Sequence, residues 1–84
     1  MPYIKPEKRS TYDDVLDILA HIDNKGDLEY CVTKLMKIYM YDRDFRYTEL
    51  HNCVYAVQHC ADEFRRLYLD KREDEAREIN GDVE

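Results

Sequence analysis

An all-α fold is predicted by three observations on this sequence of 84 residues. Leu50, Val54, Val57, Ala61, Phe64 and Tyr68 recur in alternating steps of four and three, which is the repeat of one face of a long helix. Asn24-Lys25-Gly26 and Asn80-Gly81 are stop signals at the ends of helical patterns. No segment alternates apolar and polar residues as a half-buried strand does. The expected architecture is a small three-helix domain over residues 1–84, with an extended amino-terminal arm and a long third helix, working as an oligomer.

Residues 1–9 read as the arm. Pro2 and Pro6 bias them towards extended backbone, and Tyr3 and Ile4 are placed to dock on a helix. Helix 1 is expected over 10–23, capped by Ser10 or Thr11, with Asp13 and Asp14 in its first turn. Its apolar face is Tyr12, Val15, Ile18, Leu19 and Ile22. Helix 2 is expected over 27–41, with Asp27 as cap and Leu28, Cys31, Val32, Leu35, Ile38 and Tyr39 inward. A polar connector follows, and Thr48 with Glu49 opens helix 3, which spans 48–69 or 48–79 and leaves 80–84 as a tail. The stripe from Leu50 to Tyr68 needs a cover, either an earlier helix or a second copy of the chain, most simply a two-fold dimer.

Charged residues make up 38% of the chain and mean hydropathy is −0.79, yet apolar residues reach 44% and are periodic, so the chain is expected to fold. Two Gly and two Pro leave no flexible linker, and one domain follows. The net charge of −6 argues against duplex nucleic acid as a partner. Asp70 to Glu84 holds seven acids and three bases, so most of the negative charge sits at the carboxy-terminal end. With no run of eighteen apolar residues and no signal-peptide core, a cytoplasmic protein with no membrane partner is expected.

Cys31, Cys53 and Cys60 fall in apolar periodic segments and read as buried, reduced thiols. A metal is not expected: on a helix Cys53 faces away from His51, and Cys53 and Cys60 stand roughly 10 Å apart. Nor is any other cofactor, since there is no glycine-rich phosphate loop. A nucleophile-elbow pattern is absent as well, and adjacent His59 and Cys60 point about 100° apart on a helix. The expectation is therefore a non-enzyme with no catalytic residues.

Two outward rows remain as candidate binding surfaces. Tyr30, Lys34, Lys37 and Tyr41 follow helical spacing on helix 2, with Arg43 and Arg46 just beyond. Rings and ammonium groups in one row suit stacking of a base and neutralisation of phosphate. His51, Tyr55, His59, Asp62 and Arg66 form a similar row on helix 3. The plainer reading of either row is a solvated face or an oligomer contact, because tyrosines often cover small cores and are favoured at interfaces.

The opening Met1-Pro2-Tyr3-Ile4-Lys5, the central Gly26-Asp27-Leu28-Glu29-Tyr30 with Thr33-Lys34-Leu35, the stretch from Asn52 through Cys60 to Glu63-Phe64-Arg65-Arg66, and the ending Asn80-Gly81-Asp82-Val83 together resemble a family of small all-helical bacteriophage proteins. Members of that family often carry a proline soon after the aromatic-Arg-Arg segment. Here Leu69-Asp70-Lys71 stands in its place, which leaves open whether helix 3 breaks near Tyr68 or continues. The resemblance implies a phage setting, hence the cytoplasm of a host cell, and assigns no catalytic residue. In that setting the expected function is a binding protein acting on the host, by sequestering a nucleotide-type immune signal. The alternatives are inhibition of a host protein, with the acidic segment 73–84 mimicking nucleic-acid charge, and a purely structural assembly role.

Overall fold

In the computed structural model, residues 2–19 and 21–83 are described. Met1, Ala20 and Glu84 lie outside them, and with them the first residue of the expected arm, one position of expected helix 1 and the last acid of the tail. The elements are α1 (Pro6–Asp17), α2 (Lys25–Met40), α3 (Tyr47–Phe64), a π-helical segment (Arg65–Leu69) and α4 (Asp70–Asn80). Among the described residues there is no strand. The fold is all-α, as the periodicity predicts.

Helix α1 begins a full turn earlier than expected and ends earlier too. Pro6 stands in its first turn, where the missing N–H is one that no helix uses and the fixed φ suits the helix. The extended arm therefore stops at Lys5 (φ −60°, ψ 140°). The Arg9 Nε donates to the Ile4 carbonyl at 3.0 Å, tying arm to helix. Ser10 and Thr11 are interior to α1 rather than caps. After Asp17 the chain tightens into three-residue steps, Ile18 N–H to Val15 O at 3.2 Å and Leu19 N–H to Leu16 O at 2.8 Å. Ile18, Leu19 and Ile22 thus leave the helix and belong to a connector.

Helix α2 is capped by Asn24, not Asp27. The Asn24 side-chain oxygen accepts the Asp27 backbone N–H at 2.9 Å, and Asp27 is already helical, with its carboxylate in the favourable first turn. A Cβ on Gly26 would stand 3.3 Å from that oxygen, so the glycine leaves room for the cap.

The chain divides into two compact units, Tyr3–Val54 and Met1–Pro2 with Tyr55–Glu84, the division falling within α3. In the first, Met40 on α2 and Cys53 on α3 are buried, and the Cys53 thiol donates to the Met36 carbonyl at 3.8 Å. Cys31, Val32 and Met36 on α2 are half-buried. The connector is held by Arg43, whose guanidinium lies 3.8 Å from the centre of the Tyr39 ring, donates to the Tyr39 carbonyl and pairs with Glu49 at 3.6 Å. Cys53 is buried as expected and Cys31 half so, but Cys60 is exposed on this chain, which corrects the expectation of three buried thiols. It shares a helix face with half-buried Val57 and exposed Phe64.

In the second unit the helix neither breaks near Tyr68 nor runs on as a regular α-helix. It widens for one turn. The Asp70 N–H donates to the Arg65 carbonyl, a five-residue step, and the side chains of the same two residues pair at 3.2 Å. One inserted residue shifts the phase of everything beyond it. Counted through this five-residue step, Leu69, Ala76 and Ile79 follow Phe64 in the apolar repeat, all of them exposed, while Tyr68 sets its ring against Phe64 at 4.7 Å between centroids. Gly81 ends α4 with φ 87°, its N–H donating to Arg77 O at 2.9 Å.

Candidate ligand-binding face of helix α2

At 100° per residue, Asp27, Tyr30, Lys34, Lys37, Ile38 and Tyr41 fall within about one third of the circumference of α2. The inner side is taken by Val32, Met36 and Met40, so this strip faces solvent. Four of the six site residues expected from sequence, Tyr30, Lys34, Lys37 and Tyr41, lie on it. The Lys34 ammonium sits 5.7 Å from the centre of the Tyr30 ring, a cation–π distance. Lys34, Lys37, Ile38, Tyr41 and Asp42 line an open groove of about 380 Å³. Tyr41 is 85% exposed, which leaves its ring face available for stacking. Asp42 at the rim sets one negative charge against any anion held there.

Arg43 and Arg46 are not on the strip. Arg43 is engaged with Tyr39 and Glu49, and Arg46 pairs with Asp44 at 3.4 Å. Together with Asp42, Thr48 and Glu49 they line a separate hollow in the α2–α3 connector, where the carboxylates offset the guanidinium charge.

The other end of the strip holds a feature that the sequence reading passed over. Ile18, Leu19, His21, Ile22, Asp27, Tyr30 and Cys31 line a cavity of about 300 Å³. Tyr30 belongs to this cavity and carries Lys34 on its ring, so cavity and groove follow one another along a single helix face. Among the described residues neither the Asp27 carboxylate nor the His21 ring has a hydrogen-bond or ion-pair partner. These positions were missed for a local reason. Sequence spacing places Ile18, Leu19 and Ile22 on the apolar face of a longer helix 1, and Asp27 at the cap of helix 2.

On α3, His51 stacks on Tyr47 at 5.3 Å and His59 meets Tyr55 at 6.1 Å. His59, Asp62, Glu63 and Arg66 line a shallow hollow with Pro2, and the Arg66 Nε donates to the Glu63 carboxylate at 3.1 Å. Among the described residues no group of three His, Cys, Asp or Glu side chains converges to hold a metal ion.

The residues expected at an interface are Leu50, Val54, Val57, Ala61, Phe64 and Tyr68. Val57 is half-buried and the other five are exposed, Phe64 at 65% and Tyr68 at 58%. Among the described residues no helix is long and apolar enough to cross a membrane.

The molecule is thus a small all-α domain with a solvent-facing aromatic and basic strip. It belongs to the family described as a domain of unknown function (DUF6899), whose model matches residues 1–83. No curated protein and no solved structure matches the chain.

Proposed function

We propose that this is a non-catalytic bacteriophage protein that acts in the host cytoplasm as a homo-oligomer and sequesters a nucleotide-type signal on the outer face of α2. The observation that carries the reading is the Tyr30–Lys34 stack followed by the groove of Lys34, Lys37 and Tyr41. An aromatic face beside two ammonium groups is the pairing that a nucleotide needs, a ring for the base and cations for phosphate. Stacking on such a ring contributes about 1–3 kcal/mol per base. The phage setting rests on the sequence resemblance.

The groove is open to solvent, so a ligand in it keeps much of its hydration and binds weakly unless another wall closes over it. A second copy of the chain is the proposed wall, which ties binding to assembly. The acidic carboxy-terminal segment is a poorer candidate for charge mimicry, because Arg72 pairs with Glu75 at 3.8 Å and Arg77 with Asp74 at 4.0 Å.

Calorimetric titration with linear and cyclic nucleotides, on wild type and on the Lys34→Glu/Lys37→Glu double variant, tests the reading. Binding by the wild type and a loss of at least about tenfold in the variant is expected, equivalent to about 1.4 kcal/mol. No heat with any nucleotide would sink it and leave inhibition of a host protein or a purely structural role; binding untouched by the variant would move the site elsewhere.

A further inference from the structure

Two lysines can neutralise a phosphate, but they cannot tell one base from another. The cavity at the amino-terminal end of the same helix face has the chemistry to do so. It is an open hollow whose apolar lining comes from Ile18, Leu19 and Ile22, with Ile18 80% and Tyr30 63% exposed, and the Tyr30 ring carries the Lys34 ammonium 5.7 Å from its centre. Its polar lining includes the Asp27 carboxylate and the His21 imidazole, neither engaged elsewhere among the described residues. An apolar hollow with a few converging polar groups is the ordinary form of a small-molecule site.

An ionised carboxylate accepts hydrogen bonds and donates none, and its two oxygens suit a pair of parallel N–H donors. Guanine presents such a pair on one edge, the ring N1–H and the N2 amino group. Adenine and cytosine present one amino group beside an acceptor nitrogen, whose lone pair a carboxylate repels. Uracil presents a single N–H between two carbonyls. The ring N–H of His21 suits the guanine O6, which neighbours N1.

The spacing along α2 agrees. From Asp27 to Lys34 and Lys37 the helix rises roughly 10 to 15 Å, comparable with an extended nucleoside diphosphate from base edge to terminal phosphate. We propose that the cavity is a base-reading subsite selective for guanine. The base lies between Tyr30 and the aliphatic wall, the Asp27 carboxylate accepts N1–H and N2–H, and the phosphates run towards Lys34 and Lys37. This deepens the nucleotide reading and rests on it at the phosphate end.

The test is calorimetry with GDP, IDP, ADP and CDP on wild type, Asp27→Asn and the Lys34→Glu/Lys37→Glu variant, with guanosine titrated by NMR to probe the cavity without phosphate. The expected result is GDP bound at least about tenfold more tightly than ADP or CDP, with IDP, which lacks the N2 amino group, in between. Asp27→Asn should erase that preference while keeping ADP affinity, and the lysine variant should weaken all four alike. Guanosine should shift the Tyr30 and His21 resonances. Equal affinity for GDP, IDP and ADP on the wild type overturns the subsite whatever happens to the variants, and leaves nucleotide binding standing. Guanosine shifts without binding of any diphosphate would support the cavity and remove the phosphate end; no response to guanosine or to any diphosphate removes both.

Discussion

Asn24 marks the end of one helix in the sequence and is the beginning of the next in the structure. Its side chain accepts the Asp27 N–H, one of the four donors that the first turn of a helix leaves unmatched. Replacing it with alanine removes the acceptor and nothing from the core. Asn24→Ala should lower stability by about 1 kcal/mol and the melting temperature by about 4–8 °C, read by thermal circular dichroism. An unchanged melting point would show that the cap contributes nothing. Pro6 is the same lesson in another residue type. Proline and asparagine punctuate helices in one direction only, and composition does not say which helix a given residue belongs to. The stop after residue 23 was legible for this reason, but the start of α2 at Lys25 and of α1 at Pro6 was not. The difference bears on the site, because a helix continued to residue 23 puts Ile18, Leu19 and Ile22 on its apolar face, whereas in the structure they line the cavity.

At the scale of elements, the long helical run was legible from its apolar repeat, but the π segment was not. Sequence spacing assumes a constant turn, and the inserted residue shows only as a five-residue step between Phe64 and Leu69. The step keeps Leu69, Ala76 and Ile79 in phase with the seam, which a regular α-helix would rotate away by about 100°. Helix α4 otherwise depends on little. It has eleven residues, none of them buried, and its exposed ion pairs add at most a few tenths of a kcal/mol each, about 0.3–0.5 for such spacings. A helix of that length does not hold itself once uncoupled from the run before it. Leu69→Pro removes an N–H from the π turn and places a ring against the preceding carbonyl, a cost of about 3 kcal/mol in a helix interior. The variant should lose the helical dichroism of Asp70–Asn80 while the thermal transition of the Tyr3–Val54 unit is kept. An undiminished signal at 222 nm would mean that α4 is held by something other than continuity with the π turn.

At the scale of the whole molecule, the helix face that carries Val57 leaves Phe64 65% and Tyr68 58% exposed. The apolar stripe was legible in the sequence; what covers it was not, because a helix face reads the same whether a neighbouring helix or another copy fills it. Cys60 makes the difference measurable. It shares the face of Val57, Ala61 and Phe64 and is exposed on the single chain, so a second copy seated there would shield it. Light scattering at micromolar concentration should give a multiple of 10.2 kDa. A thiol reagent should label Cys60 quickly in dilute protein and progressively more slowly as concentration rises, with buried Cys53 slow throughout. Val57→Asp places a charge on the face that a second copy would cover, where burying it unpaired costs more than the roughly 1–3 kcal/mol of an unpaired neutral polar group. It should yield the monomer mass and rapid Cys60 labelling at every concentration, with α1 and α2 still folded. A wild-type protein that is monomeric, and whose Cys60 labels at one rate across the range, would remove the second copy from this face. The open groove on α2 would then lose its proposed second wall, and tight nucleotide binding would have no structural basis in this chain alone.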